Sequence, residues 1–202
     1  MKLICIGRNY VKHIEELGNE KPESPIIFLK PDSALIKNNE PFYYPDFSTD
    51  IHYEVEVLVK IKKVGKSIPV NFAHKYYDEI GLGIDLTARD LQTKAKAKGL
   101  PWDLAKGFNG SAPISNFISK STFNVQDLNF SLKLNGTLVQ SSNTSLMLWS
   151  IDEIIAYVSR YMTLKKGDIL FTGTPEGVGP IKIGDHLQGF IESQNMFDFE
   201  IR

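Results

Sequence analysis

The stretch "IHYEVEVLVK", residues 51–60, decides how the rest of the chain is read. Its valines, isoleucine and tyrosine are strand formers, and a pleated strand sends successive side chains to opposite faces. His52, Glu54, Glu56 and Leu58 then share one face, and Tyr53, Val55, Val57 and Val59 share the other. Two carboxylates two residues apart on one face repel each other, and glutamate is a poor strand former. Either the strand is half exposed with its charges in water, or a divalent cation relieves the repulsion.

Outward from this segment the chain continues in short apolar or alternating runs separated by turn residues. They are "KLICIG" (2–7), "PIIFLK" (25–30), "EIGLGIDL" (79–86), "NFSLKLNG" (129–136), "DILFTG" (168–173) and "HLQGFIES" (186–193). "NGT" (135–137) is a hairpin turn signal. Three helices stand out. "YVKHIEELG" (10–18) has Asn9 as a candidate N-cap and Gly18 past its end, and "TARDLQTKAKAKG" (87–99) closes on Gly99 before Pro101. "SIDEIIAYVSRYM" (150–162) opens with Ser150 and Glu153 spaced as a capping box. Many strands and few helices predict a mainly β, α+β domain, and the lack of regular βαβ alternation argues against a dinucleotide fold.

The 202 residues suit one domain, and 42% hydrophobic with 23% charged residues describes a globular chain. A formal net charge of −1 gives no global electrostatic case for nucleic acid or an anionic membrane. Cys5, the only cysteine, excludes an internal disulfide and a cysteine-based zinc site, and fits a reducing compartment. "MKLICIG" is too short for a signal peptide and no apolar run approaches membrane-spanning length, so the expectation is a cytoplasmic protein.

If a cation sits on Glu54 and Glu56, it needs another oxygen ligand, and "GLGIDLTARDLQ" offers Asp85 at the end of an apolar run. Three carboxylates without a cysteine or histidine cluster suit Mg²⁺, Mn²⁺ or Ca²⁺ rather than zinc. Asp85 also reads as a helix N-cap. Arg89, four residues on, reads either as its ion-pair partner on a helix or as a group that orients a ligand from behind. Lys106, among apolar neighbours in "PWDLAKGF", reads on its own as a snorkelling surface lysine. "TGTPEGVG" (172–179) is not a phosphate cradle, because no G-K-[ST] and no helix follow it.

Six segments in order span nearly the whole chain: "CIGRNYVKHIEELG", "FLKP", "IHYEVEVLVK", "GIDLTARDLQ", "KGLPWDLAKGFNGSAPIS" and "GDILFTGTPEGVGPI". Together they resemble the fumarylacetoacetate hydrolase family, specifically its short single-domain acylpyruvase and oxaloacetate decarboxylase type. The resemblance implies a mixed β-sandwich roll with a few short helices, residues 1–202 as one catalytic domain, and a homodimer. It implies Mg²⁺ or Mn²⁺, with Ca²⁺ as a substitute, on Glu54, Glu56 and Asp85. It implies a His13–Glu16 pair on a mobile lid (residues 8–25) that activates water, a pair which alone would read as a surface ion pair. It puts Lys106 at the metal site, facing substrate oxygens, and Gln92 and Thr174 on the substrate.

The implied substrate is a small 2-oxo acid, and the implied reaction is C–C hydrolysis of an acylpyruvate through a pyruvate enolate at the metal site. The alternatives are an oxaloacetate-type decarboxylase, a 2-hydroxyhepta-2,4-diene-1,7-dioate-type isomerase, or, in another class, a non-catalytic β module that binds a metal or a small acid. His52 shares the glutamates' face and has no assigned role.

Overall fold

The apolar runs of the sequence become the strands of two main sheets in the computed structural model, which describes residues 1–202. The larger sheet runs in the order Ile26–Lys30, Leu3–Gly7, Ile169–Phe171, Val55–Ile61, Tyr77–Ile84 and Ile118–Ser119. Only Leu3–Gly7 and Ile169–Phe171 pair in parallel; its other neighbours are antiparallel. The second sheet is antiparallel and four-stranded, two hairpins side by side in the order Thr137–Asn143, Asn129–Leu134, His186–Ile191 and Gln194–Glu200. Its first hairpin turns at Asn135 and Gly136, both at positive φ (51° and 80°), as "NGT" predicts.

The main core lies between these sheets. Val55, Val57, Ile80 and Leu82 from the larger one meet Phe130, Leu132, Leu187, Ile191 and Phe197 from the smaller. Burial of such side chains, about 1.5–3 kcal/mol each, is what holds the two layers together. Beside it on the same face, a second core packs the apolar stripe of the last helix, Ile151, Ile154, Ile155 and Val158, onto Ile4, Ile6, Val59 and Leu170, while Leu3, Cys5, Leu58 and Phe171 form a third core on the larger sheet's other face. Strand Val55–Ile61 therefore feeds cores on both faces, and its glutamates cannot be on a wet side.

The helices are α1 (Val11–Glu16), α2 (Val70–Ala73), α3 (Arg89–Ala97), α4 (Asp103–Lys106) and α5 (Ile151–Tyr161). α1, α3 and α5 are the three expected from sequence. α2 and α4 add to them, since a single turn is too short to show a helical period. The capping box at Ser150 and Glu153 is present. Asn9 is not a cap: Tyr10 holds that position without a side-chain bond. The Asn9 side chain instead donates to Trp149 O (3.0 Å) and Thr172 O (2.8 Å) and accepts from Trp149 N (2.9 Å), stapling three segments together.

The opening segment is also not one strand. It breaks at Glu54 into Ile51–Tyr53, which joins a small three-stranded sheet, and Val55–Ile61 of the large sheet. At the break, Val55 N donates to the side chain of Gln140 (2.9 Å) rather than to a neighbouring strand.

Candidate metal centre and active site

Strand register builds the acidic cluster. Val55 pairs with Ile84, and Asp85 N donates to Glu54 O (2.8 Å), so Glu54 and Asp85 are neighbours where two antiparallel strands end. Glu56 pairs with Gly83, which presents no side chain against it. All three carboxylates are nearly fully buried, and one oxygen from each lies within 4.8 Å of the others. A single cation with oxygen ligands at about 2.0–2.6 Å can bridge that spacing. The all-oxygen donor set fits a hard cation such as Mg²⁺, Mn²⁺ or Ca²⁺ and not a soft metal.

Three carboxylates in a dry interior need counter-charge. Lys106, at the end of α4, is buried and donates to Glu54 Oε2 (2.8 Å), Asp85 Oδ2 (2.6 Å) and Thr87 Oγ1 (2.6 Å), so it is no snorkelling surface residue. Burial alone would lower its pKa, but Asp85 and Glu54 outweigh burial and hold it above the usual lysine value. Glu54 is the mirror image: burial pushes it up, yet Lys106 and Arg89 hold it well below the ordinary carboxylate range. Glu56 has no such cation. Burial and Asp85 push its pKa well above the ordinary value, against one backbone bond from Gly173 N (2.7 Å).

Arg89 opens α3 and bridges Glu54 Oε1 (2.5 Å) and Gln92 Oε1 (2.6 Å). It does not pair with Asp85, and Asp85 does not cap α3, whose N-cap is Ala88 with no side-chain bond. A residue missed from sequence fills the place instead. Lys30, fully buried in "FLKP", lies 2.8 Å from Asp85 Oδ1 and donates to Leu86 O, Lys106 O, Ser111 O and Ser111 Oγ. An ammonium group inside an apolar edge strand was the available signal: such a lysine is rarely buried unless paired.

Above the carboxylates sits α1. His13 is buried, with Nδ1 3.3 Å from Glu16 Oε2. Burial lowers its pKa against the opposing pull of Glu54 and Glu16, so its imidazole is neutral at neutral pH. Glu16 Oε1 accepts from Gly177 N (3.0 Å), which ties the helix to the 172–179 loop. Gly177 stands at φ +91°, where an added Cβ would meet Val139 O at 2.3 Å, so only glycine lets the loop lie this close.

His13, Glu54, Glu56, Asp85, Arg89, Gln92, Lys106 and Thr174 all line one cavity of about 40 Å³, together with Arg8, Lys96 and Trp102. Arg8 is held to Asn19 Oδ1 (2.8 Å), and Lys96 is pushed below the usual lysine value by burial and by Arg89 and Arg8. These two cations at the rim were not read from sequence. Glu16 lies just behind this wall as the partner of His13. His52 points away to Asp50 (2.9 Å) and is not part of the cluster.

Comparison with known proteins finds relatives along the whole chain. Residues 2–202 match the model of the fumarylacetoacetate (FAA) hydrolase C-terminal family. The chain is 40% identical over 200 residues to the mitochondrial oxaloacetate tautomerase FAHD1 of Bos taurus, covering 98% of this chain and 90% of that protein. Fumarylpyruvate hydrolase from Pseudomonas aeruginosa, solved in complex with Mn²⁺ and pyruvate, superposes with a TM-score of 0.95 at 33% identity, over 100% of this chain and 89% of that one. A fumarylacetoacetate hydrolase family protein from Yersinia pestis gives a TM-score of 0.96 at 38% identity, over 100% and 93%. By fold, by match along its length and by identity to these relatives, the chain belongs to the fumarylacetoacetate hydrolase family.

Proposed function

We propose that the chain, acting as one catalytic domain, is a divalent-metal-dependent enzyme that hydrolyses the C3–C4 bond of acylpyruvate-type 2,4-dioxo acids. One observation carries the reading: a buried, carboxylate-held histidine shares a small cavity with three clustered carboxylates and a buried lysine. A Mg²⁺ or Mn²⁺ ion on Glu54, Glu56 and Asp85 would supply Lewis-acid polarisation of the substrate's carboxylate and 2-oxo oxygens.

The chain's own groups do the rest. Glu16 accepts from His13 Nδ1–H, which fixes the tautomer and leaves Nε2 to take a proton from water. That water adds to the C4 carbonyl, the C3–C4 bond breaks, the acyl half leaves as a carboxylic acid, and C3 is protonated to give pyruvate. Lys106 holds positive charge beside the oxygen that becomes negative. Thr174 and Gln92 bind the 2-oxo acid, and Arg89 keeps Glu54 and Gln92 in place.

The rim favours a second reading. Arg8 and Lys96 face a substrate that carries another carboxylate, as in oxaloacetate, whose tautomerisation or decarboxylation needs no water attack. A binding module without catalysis would need the carboxylates but neither His13 nor Lys106 in the same cavity. The test is His13→Ala with Mn²⁺: loss of acetylpyruvate hydrolysis with retained turnover of oxaloacetate supports the water-activating role, and surviving hydrolysis removes it. Turnover of no 2-oxo acid by the metal-loaded protein would leave the binding module. The homodimer belongs to the same reading and is checked by light scattering.

A further inference from the structure

Gln140 is buried, lies outside the cavity wall, and has no role in the reaction as drawn above. It sits on strand Thr137–Asn143 at a bulge: Gln140 pairs with Leu132 and Leu138 pairs with Lys133, which leaves Val139 unmatched. The bulge presses against the 172–179 loop, since Val139 O is the atom an added Cβ at Gly177 would strike.

The amide of Gln140 has only one orientation that satisfies its neighbours. Its Oε1 accepts from Val55 N (2.9 Å), which can only donate. Its Nε2 faces Pro175 O (3.1 Å) and Glu176 O (3.4 Å), which can only accept. The same Nε2 lies 3.0 Å from Thr174 Oγ1, so that hydroxyl oxygen is an acceptor in this bond. No group of the protein takes the hydroxyl proton of Thr174, and Thr174 lines the cavity.

We infer that Gln140 is a positioning residue that sets the polarity of Thr174: by donating to Oγ1 it leaves the Thr174 proton free to donate to an anionic ligand group in the cavity. The same amide bonds the backbone N–H of Val55, so one side chain touches both the Thr174 hydroxyl and the strand break at Glu54. The inference rests on the reading of the site as a 2-oxo acid site.

The test is a double-mutant cycle with Gln140→Met and Thr174→Val, in which the Mn²⁺-loaded protein is titrated with pyruvate by calorimetry. Gln140→Met is expected to weaken pyruvate about tenfold or more, the size of a lost hydrogen bond to a charged group. In the Thr174→Val background the same change should have little further effect on binding, because the group through which Gln140 acts is gone. A purely structural Gln140 would weaken pyruvate by the same factor in both backgrounds, or not at all, and either result overturns the inference.

If Gln140→Met does not fold, Gln140→Glu serves in the same cycle. It keeps an acceptor for Val55 N but accepts at Thr174, and the effect of its added charge cancels between backgrounds. Pyruvate binding by the unmutated protein separates the two levels. No binding there means the 2-oxo acid reading has failed and this inference with it, whereas binding with an additive cycle rejects this inference alone.

Discussion

The floor and the roof of the cavity are built differently. The floor is the cluster of Glu54, Glu56, Asp85, Lys106 and Lys30, set by strand register and locked by buried ion pairs. The roof is α1, six residues long, with two exposed acids beside its two buried residues, held to the far loop by one hydrogen bond, Gly177 N to Glu16, and one solvent-exposed ion pair, Lys12 to Glu176 (3.6 Å). Binding a cation requires ligands that stay put, while admitting a substrate into about 40 Å³ requires something that moves. The difference teaches that affinity for the metal should depend on the floor and catalytic access on the roof.

The sharpest break of that division is Asp85→Asn, which keeps the shape and removes one ligand charge. Mn²⁺ affinity by calorimetry should fall by at least about 10³-fold, beyond the 10–100-fold typical of outer-shell changes, with hydrolysis lost in parallel. Lys30→Met should come next. It leaves Asp85 with half its counter-charge, and a broken buried pair costs about 3–5 kcal/mol, read as a lowered denaturation midpoint. His13→Ala acts on the roof alone. Hydrolytic kcat should drop about 10²–10⁴-fold with Mn²⁺ affinity unchanged; a matching loss of metal affinity would erase the distinction between the two regions. The smallest effect expected is in hydrogen exchange, where α1 amides should exchange faster than those of Val55–Ile61, and equal protection would mean that the roof is as fixed as the floor.

Proton linkage separates the regions again. Glu56 has a raised pKa in the folded protein, so it binds a proton that the unfolded chain has already released. Without metal, stability from this group falls as pH rises from the usual glutamate value of about 4.3 through the raised one. A cation must displace that proton, so Mn²⁺ affinity should rise by about tenfold per pH unit until Glu56 is ionised. His13 has the opposite arrangement. Its lowered pKa favours the folded state above the usual histidine value of about 6.5, and that contribution is lost as pH falls through it. The decline of hydrolysis with falling pH should therefore be centred below 6.5, and a decline centred above 6.5 would show that burial does not set the histidine's charge.

Much of the floor was legible in "IHYEVEVLVK" and "GIDL", because alternation along a strand and the cost of like charges are local facts. The sequence alone determined a mainly β chain, the three longer helices, the capping box at Ser150, the hairpin at Asn135 and an all-oxygen carboxylate set. It also held Lys30 in plain view, inside an apolar strand where an ammonium group needs a partner. It could not show that the strand breaks at Glu54, that Arg89 turns to Glu54 and not to Asp85, or that Asn9 staples rather than caps. Each of these depends on a bond to a residue far along the chain: Gln140 to Val55, Glu54 to Arg89, and Asn9 to Trp149 and Thr172. Gln140 itself left no mark, since a glutamine in an alternating strand looks solvent-facing until a bulge and a second sheet bury it. Local spacing decides which side chains share a face, but only tertiary packing decides what that face meets, because burial and hydrogen-bond partners come from distant segments.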